Sequence, residues 1–241
     1  MTSSVPNVGS AGWSIPAALA AQFPSGGTHL ERYASRFGAV EINSSFYRPH
    51  RPQTYAKWAA SVPDSFRFAV KIPKIITHER RLRDVEAPLQ RFLDESAELG
   101  AKLGPLLTQL PPSFLFDEAL AADFFALLRE KTAASVVCEP RHRSWFTPEA
   151  DELLAQFEVA RVAADPALLP VAGVPGGWKG LRYYRLHGSP RIYYSAYSPA
   201  FLEELATTLR SGASSSVWCI FDNTAAGAAT DDALTLLKYL A

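Results

Sequence analysis

The stretch Tyr183-Tyr-Arg-Leu-His187 carries two basic side chains, Arg185 and His187, on alternate positions at the end of a short hydrophobic segment. Alternate residues of a β-strand point to the same side, so both side chains face one way. Other short hydrophobic segments repeat this arrangement: Ala39-Val-Glu-Ile-Asn43, Phe66-Arg-Phe-Ala-Val-Lys71, Gly104-Pro-Leu-Leu-Thr-Gln109, Ser135-Val-Val-Cys-Glu-Pro-Arg141 and Val159-Ala-Arg-Val-Ala-Ala-Asp165. Proteins rarely bury so many charges without a use for them. The pattern therefore predicts a polar site at the carboxyl ends of the strands.

The order of the predicted elements indicates an α/β fold. Eight segments have the character of strands, and most are separated by stretches with apolar residues at helical spacing. Thr28, Asp117, Thr147-Pro148 and Ser198-Pro199 are favourable helix starts. The predicted strands lie near residues 6–10, 39–43, 66–72, 104–110, 134–140, 159–165, 181–187 and 216–222. This alternation predicts a TIM-like (β/α)8 barrel of parallel strands.

A doubly wound open sheet is the competing fold. Both faces of an open parallel sheet are covered by helices, so its strands are apolar throughout. Here polar side chains occupy alternate positions on one side of the strands, which favours a barrel with these side chains pointing inward. Residues 166–180 are rich in proline and glycine and have little helical rhythm. We therefore expect the sixth helix to be short or replaced by a loop. The chain shows no linker or repeat, so we expect residues 1–241 to form a single barrel domain.

Composition limits the partners. Lys and Arg total 24, as do Asp and Glu, and this balance argues against bulk nucleic-acid or membrane-surface binding. Cys138 and Cys219 are expected to be reduced core thiols. Met1-Thr-Ser-Ser-Val-Pro-Asn7 lacks the features of a secretory signal, and no apolar run reaches the ~18 residues of a membrane span. We therefore expect a cytoplasmic protein, with its oligomeric state left open.

In a barrel the strand ends meet at one mouth, where catalytic groups of this fold lie. The candidates for proton transfer are Glu139, His187, Glu41 and Asp165. The candidates for substrate binding at strand ends are Lys71, Arg141, Arg185, Asn43, Gln109 and Asn223, with Asp222 as an alternative to Asn223. Loops add Trp13, His78 and Tyr194. The competing interpretation is a self-satisfied ion network that only fills the barrel.

The sequence contains no motif that identifies a cofactor. The chain has no phosphate-binding glycine motif and no Cys/His zinc spacing. A metal held by His187 and carboxylates is chemically feasible, but neighbouring cations would oppose it, so no metal ligand is assigned and the cofactor stays unknown. A Schiff base at Lys71 requires a depressed pKa, and we expect the nearby carboxylates to raise the pKa of that amine.

Several motifs, in order, are similar to those of the YecE-like family, domain of unknown function 72. They are Gly12-Trp-Ser14, Val40-Glu-Ile-Asn-Ser-Ser-Phe-Tyr47, Phe66-Arg-Phe-Ala-Val-Lys71, Ile76-Thr-His78, Gly104-Pro-Leu-Leu-Thr-Gln-Leu-Pro-Pro112, Glu139-Pro-Arg-His-Arg-Ser-Trp145 and Arg185-Leu-His-Gly188. The resemblance covers essentially the whole chain and implies a barrel related to (β/α)8 in an intracellular bacterial or archaeal protein, without an established reaction. Two departures are Asp222-Asn223, where paired asparagines are usual, and Pro140, where an aromatic residue is frequent.

Three functions are compatible with these residues. The favoured hypothesis is an enzyme, of hydrolase, lyase or isomerase type, that acts by acid/base chemistry on a small phosphorylated or carboxylated molecule. The second is a metal-dependent phosphodiesterase of nucleic acid that uses Glu41, Glu139, Asp165 and His187 as ligands. The third is a non-catalytic nucleotide- or RNA-binding module whose contacts are Arg80, Arg81, Arg83 and the loop aromatics.

Overall fold

Eight parallel barrel strands form the centre of the molecule in a computed structural model that describes residues 5–211 and 216–241. The amino-terminal residues 1–4, part of the stretch expected to lack a signal, lie outside this range. The strands are β1 (Asn7–Ser10), β2 (Ala39–Ile42), β3 (Arg67–Lys71), β4 (Leu103–Gln109), β5 (Val136–Glu139), β6 (Val159–Arg161), β7 (Ala163–Asp165), β9 (Leu181–Leu186) and β10 (Ser216–Phe221), with a two-residue strand β8 (Gly176–Gly177). All eight predicted segments are confirmed as strands.

The barrel closes because two sheets share the segment 159–165. Its first half, β6, pairs with β5, and its second half, β7, pairs with β9, so β6 and β7 are one barrel strand interrupted at Val162. On the other side, an isolated parallel bridge joins Ala11 to Glu41, and the Gly12 N–H donates to the Glu41 carbonyl at 2.9 Å. The strand order is therefore that of a TIM-like barrel.

Helices cover the barrel, and their caps are those expected from the sequence. The Thr28, Asp117, Thr147 and Ser198 hydroxyl or carboxylate oxygens each accept a hydrogen bond from a first-turn N–H. The helices are α1 (His29–Ala34), α2 (Pro52–Ala60), α3 (Glu86–Ala97), α4 (Glu118–Lys131), α5 (Pro148–Gln156), α6 (Pro199–Arg210) and α7 (Ala228–Leu240). Each helix packs apolar side chains against the strand residues that point out of the barrel, which we call the outer phase; the residues that point into the barrel are the inward phase.

The barrel interior has its own small apolar cluster below the mouth. Its members are Ala39, Ala69, Leu107, Val137, Ala160, Val162, Leu181, Tyr183, Trp218 and Ile220. Trp218 fills the centre, and Gly104 makes room for it, because a Cβ on Gly104 would lie 2.6 Å from the Trp218 ring. Since side chains alternate along a strand, this cluster fixes which later residues also point inward.

The sixth barrel helix is missing, as the composition of residues 166–180 predicts. Only a 3₁₀ turn at Pro170–Gly173 and strand β8 form there. The loop is held from below by Arg161, which pairs with Asp151 of α5 at 2.7 Å and donates to the Val171 carbonyl at 3.0 Å. The loop therefore lies over the mouth as a fixed wall, with Arg161 in a structural role.

Candidate active site

Arg185 is the centre of the charged site. It lies on β9 two residues beyond Tyr183, so it shares the inward phase of the interior cluster, and it is fully buried. Its Nη2 contacts Glu41 Oε1 at 2.8 Å and Asp222 Oδ2 at 3.2 Å, and its Nη1 donates to Glu139 Oε2 at 3.0 Å. One guanidinium thus joins carboxylates from β2, from β5 and from the residue after β10.

His187 connects two of the same carboxylates. Its Nε2 lies 2.8 Å from Glu139 Oε1 and its Nδ1 lies 3.0 Å from Asp222 Oδ2. The Gln109 amide donates to Glu139 Oε2 at 3.0 Å, which fixes the carboxylate plane. We call Glu41, Glu139, Arg185, His187 and Asp222 the ion network.

The protonation states in the ion network follow from its contacts. Burial opposes the charge of Glu139 and Asp222, but Arg185 and His187 outweigh it, so the pKa of each carboxyl is below its ordinary value. Burial also opposes the charge of His187, yet Glu139 and Asp222 raise the pKa of its imidazole. The two carboxylates therefore favour the imidazolium form of His187.

Lys71 ends β3 on the inward phase but does not join an ion pair. It is buried, and its Nζ lies over the Phe46 ring at 4.2 Å. Within residues 5–211 and 216–241, no carboxylate oxygen lies within 4.0 Å of Nζ. Burial, aided by Arg185, lowers the pKa of Lys71 to about 8 although Glu41, Glu139 and Asp222 raise it. The nearby carboxylates raise the pKa of Lys71 as expected from the sequence, but burial of the amine outweighs them, so the net change is downward.

The ion network opens on one side into a cleft of about 320 Å³. Glu139 and His187 line its floor, and Arg141, Phe146 and the 166–180 loop form its walls. Arg141 donates from Nη1 to the Tyr193 hydroxyl at 3.3 Å, and its guanidinium has no carboxylate partner in the described part of the chain. Lys71 lies on the inward phase at the end of β3 and does not line this cleft. We call Lys71 and Arg141 the open cations, because neither has a carboxylate partner among the described residues.

His78 is held beside the open cations. Its Nδ1 lies 2.8 Å from the Thr77 hydroxyl, and its ring contacts Phe46 edge to face at 4.9 Å. Burial lowers the pKa of His78, and Lys71, Arg141 and Arg81 lower it further. A neutral imidazole can donate or accept a hydrogen bond, so His78 completes a polar rim at the mouth.

Two predicted site residues face away from the mouth, so the prediction from strand alternation was wrong for them. Asp165 is on the outer phase of its strand, opposite to Ala164, and its Oδ1 accepts from the Tyr197 hydroxyl at 2.8 Å. Asn223 is also on the outer phase and donates to the Ser195 carbonyl at 2.9 Å and to Asp232 Oδ2 at 2.7 Å. Both fix loops rather than line the cleft.

Three further predicted residues lie at the edge of the site or outside it. Trp13 packs edge to face on Trp58 of α2 at 5.0 Å and lines a different cleft. Tyr194 is exposed on the rim, with the Arg191 guanidinium 3.8 Å above its ring. Asn43 follows β2 on the inward phase, and its Oδ1 is buried without a hydrogen-bond partner.

Two residues of the site were missed or undervalued by the sequence interpretation. Asp222 follows Trp218 and Ile220 on the inward phase, so strict alternation from Trp218 selects it instead of Asn223. Tyr183 precedes Arg185 on the same phase, and its hydroxyl donates to Glu41 Oε2 at 2.9 Å. Its aromatic character hides this polar role in the sequence.

The residues named for the two alternative functions have other contacts in the structure. In residues 5–211 and 216–241, no three His, Cys, Asp or Glu side chains are placed to hold a metal ion. Asp165 is turned away from the other three proposed ligands. For the nucleic-acid module, Arg80 donates to the Asp84 carbonyl, Arg81 donates to the Ser113 carbonyl, and Arg83 pairs with Asp117 at 3.7 Å. These guanidiniums stabilise their own loop.

The remaining sequence expectations concern the chain as a whole. Cys138 and Cys219 are buried free thiols. In the described residues, no helix has the length and apolar character needed to cross a membrane. The cytoplasmic location and the single domain over residues 1–241 stay predictions.

Fold and site together define a class: TIM-like barrels with a buried charged network at the carboxyl mouth. The chain belongs to the family described as protein of unknown function DUF72, whose family model matches residues 7–241. The resemblance found in the sequence motifs is therefore confirmed. The family description contains no reaction.

Two curated relatives match parts of the chain. UPF0759 protein YecE of Escherichia coli is 34% identical over 87 residues, which are 36% of this chain and 32% of YecE. UPF0759 protein YunF of Bacillus subtilis is 28% identical over 134 residues, which are 53% of this chain and 48% of YunF. The matches span less than half of each relative's length, and neither name specifies an activity.

Solved structures share the fold. A DUF72 family protein from Enterococcus faecalis has a TM-score of 0.82 at 23% identity, with 97% of this chain and 94% of that chain covered. One from Thermotoga maritima has a TM-score of 0.80 at 24% identity, with 98% and 99% covered. A xylose isomerase-like TIM barrel/4-hydroxyphenylpyruvate dioxygenase fusion protein reaches 0.52 at 18% identity, over 88% of this chain and 39% of that one. These likenesses establish the TIM-like fold alone.

Proposed function

We propose that this protein is an enzyme that binds a small phosphorylated or carboxylated molecule in the barrel-mouth cleft and moves protons through Glu139 and His187. The observation that carries the proposal is the meeting of two features in one cleft. Glu139 and His187 form a proton-sharing pair at 2.8 Å, and Arg141 projects into the same cleft without a carboxylate partner. An acid/base pair beside an unpaired cation is what chemistry on an anion requires.

Charge balance supports an anionic ligand. Three carboxylates of the ion network face one guanidinium and the His187 imidazole, and with that imidazole protonated the net charge is −1. Lys71, when protonated, brings this charge to zero, and Arg141 makes the mouth positive. An anion bound at Arg141 would restore neutrality, with the planar guanidinium able to form two parallel hydrogen bonds to a carboxylate or phosphate.

Proton transfer would use Glu139 as the group that meets the ligand. Its two oxygens already accept from His187, Arg185 and Gln109, yet a carboxylate has about four acceptor positions, so one position is left for a ligand proton. These donors make Glu139 a weak base in the absence of a bound anion. An anion beside Lys71 and Arg141 would offset their charge and raise the pKa of Glu139 toward the range of a useful base.

The competing interpretation, an ion network that only fills the barrel, accounts for Arg185 but not for the open cations. Interiors of this fold are normally filled by branched apolar side chains, and buried ion pairs are often no more stable than apolar replacements. Arg185 contacts three carboxylates, so we assign it the positioning of Glu41, Glu139 and Asp222 instead of direct substrate binding. The open cations carry the binding role.

The proposal is tested by thermal shift with phosphosugars, nucleotides and small organic acids. Ligands that raise the melting temperature of the wild type should lose most of this effect with Arg141→Ala. Arg143→Ala is the matched control, because Arg143 is two residues away and exposed. Full stabilisation of the Arg141→Ala variant by the same ligands would remove Arg141 from the anion site and contradict the proposal.

A further inference from the structure

We infer that Lys71 Nζ is a nucleophile that forms an imine with the carbonyl carbon of a small anionic aldehyde or ketone. The inference rests on the proposed anion site, because Arg141 would position the anionic group of the same molecule. It narrows the substrate class from anions in general to anionic carbonyl compounds. It also gives Lys71 a covalent role that an ammonium used only as a point charge does not have.

The position of Lys71 is the first argument. Lys71 ends β3 on the inward phase, two residues beyond Ala69 of the interior cluster, so its amine is carried on a rigid strand to the mouth. The Phe46 ring lies 4.2 Å below Nζ and fixes the side chain without donating or accepting a hydrogen bond. A nucleophile needs this combination of fixed position and unoccupied lone-pair direction.

The second argument is the contrast with other lysines. Lys74 pairs with Glu79 at 3.0 Å, Lys102 with Asp64 at 3.3 Å, and Lys131 with Glu86 at 3.0 Å. Lys71 is more deeply buried than these three, yet in the described residues it has no hydrogen bond or ion pair. The fully buried polar atoms without a partner belong to Asn43, Tyr55, Thr108 and Asn223. Lys71 Nζ is not among them, and the residue keeps 5% of its surface exposed.

The third argument is electrostatic. The charged and titratable groups that act on Lys71 or respond to it are Arg185, Glu41, Glu139, Asp222 and His78. Burial and Arg185 lower the pKa of Lys71 from 10.5 to about 8, against the opposing effect of the carboxylates. At neutral pH, Lys71 therefore has on the order of 10²-fold more of the nucleophilic amine form than a lysine of ordinary pKa.

The proposed step balances without an added redox reagent. The Lys71 ammonium first gives one proton to the Glu139–His187 pair. The nitrogen lone pair then attacks the carbonyl carbon, a C–N bond forms, and the carbonyl oxygen takes that proton from the pair. The nitrogen gives a second proton to the pair, the pair passes it to the new hydroxyl, and the C–O bond breaks to release water and leave a protonated imine. Overall, one carbonyl compound and one protonated lysine give one protonated imine and one water. The imine nitrogen remains cationic, so the positive charge at the mouth is retained.

Reductive trapping of the intact protein tests the inference. One sample receives formaldehyde and cyanoborohydride, which report amine reactivity without any need for anion recognition. A second receives glyoxylate and cyanoborohydride, which report anionic carbonyl recognition. Peptide mass spectrometry then measures modification of Lys71 and Lys74, the latter being a partly exposed lysine three residues away in the same digest.

We expect Lys71 to react with formaldehyde about tenfold faster than Lys74 at neutral pH, because of its larger amine fraction. We expect its preference over Lys74 to be larger still with glyoxylate. Equal or slower methylation of Lys71 would overturn the inference. The ratio of Lys71 to Lys74 modification should be higher with glyoxylate than with formaldehyde. A ratio that is no higher with glyoxylate would overturn the anionic substrate class. Because both lysines are measured in the wild-type protein, no variant has to fold for either result.

Arg141→Ala separates the two proposals. If the anion site and the nucleophile are both correct, this change should reduce the glyoxylate preference for Lys71 and leave formaldehyde methylation unchanged. Anion binding lost with Arg141→Ala while wild-type Lys71 resists formaldehyde supports the proposed function and overturns the nucleophile. Rapid methylation of Lys71 with anion binding unaffected by Arg141→Ala supports the nucleophile and contradicts the proposed anion site.

Discussion

The ion network and the open cations differ in whether each charge has a partner of opposite sign. Every charge of the ion network contacts a charge of opposite sign, with Arg185 bound to three carboxylates and His187 to two. Lys71 and Arg141 have no such partner in the part of the chain that the structure describes. The paired charges fix the side chains at the mouth, whereas the unpaired cations indicate where an anionic ligand would bind.

This difference predicts opposite effects on stability. Removing one partner of a buried ion pair leaves an uncompensated charge in a poorly solvated site. Removing a buried cation that lacks a partner instead removes a desolvation cost. Substitutions that delete charge should therefore destabilise the protein at the ion network and stabilise it at Lys71.

The largest effect is expected for Arg185→Met. The change leaves Glu41, Glu139 and Asp222 without their shared cation, and we expect a loss of at least about 3–5 kcal/mol in the free energy of unfolding. Urea denaturation measures it. Arg161→Met is the control, because Arg161 is equally buried but its carboxylate partner among the described residues, Asp151, retains partial solvent exposure. If Arg185→Met lowers the free energy of unfolding no more than Arg161→Met does, then leaving three buried carboxylates without their cation is not specially destabilising.

Lys71→Met should stabilise the protein at neutral pH by about 1–3 kcal/mol, because a pKa lowered by burial means that the charged form is disfavoured. In the wild type, the unfolded chain binds more protons than the folded one between pH 8 and 10.5, so the contribution of Lys71 to stability rises with pH in that interval. The advantage of Lys71→Met should therefore shrink as pH rises through this window.

Urea denaturation at pH 7 and at pH 10 checks the Lys71 prediction. Lys102→Met is the matched control, since Lys102 has carbonyl and carboxylate partners and its loss should destabilise the protein. Destabilisation by Lys71→Met at pH 7 would place Lys71 with the ion network and remove the distinction between the two regions.

The fold could be predicted from the sequence because it depends on alternation and spacing. The strand segments, the helix caps at Thr28 and Thr147, and the missing sixth helix are all local features. The site was predicted where strand phase was clear, as for Glu41, Glu139 and Arg185. The prediction was wrong at Asp165, because Ala160, Val162 and Ala164 point inward and alternation places the Asp165 carboxylate on the outside of the barrel. Which cations lack partners depends on distances between strands that no single segment specifies.

A smaller effect is expected for His187→Gln, and its sign depends on pH. The folded-state pKa of His187 is raised above 6.5, so the stability it adds is complete below that value and is lost as pH rises through the folded pKa. The difference in unfolding free energy between the wild type and His187→Gln should therefore be larger at pH 5.5 than at pH 9.

Urea denaturation at these two pH values tests the His187 prediction, and an NMR titration of the imidazole in the wild type gives its pKa directly. Glu139→Gln serves as a second variant, because removing the carboxylate at 2.8 Å should lower the His187 pKa. A His187 pKa at or below 6.5 in the wild type would mean that the ion network does not stabilise an imidazolium.

The smallest effect is expected for Asp165→Asn, which tests whether the boundary of the site is drawn correctly. The Asn oxygen can still accept from the Tyr197 hydroxyl, so we expect less than about 1 kcal/mol of lost stability. The His187 pKa should not change, because Asp165 faces away from the mouth. Asp222→Asn is the paired comparison, since it removes a charge at 3.0 Å from His187 Nδ1 and should lower that pKa. NMR titration of both variants measures the contrast, and equal shifts would place Asp165 inside the site after all.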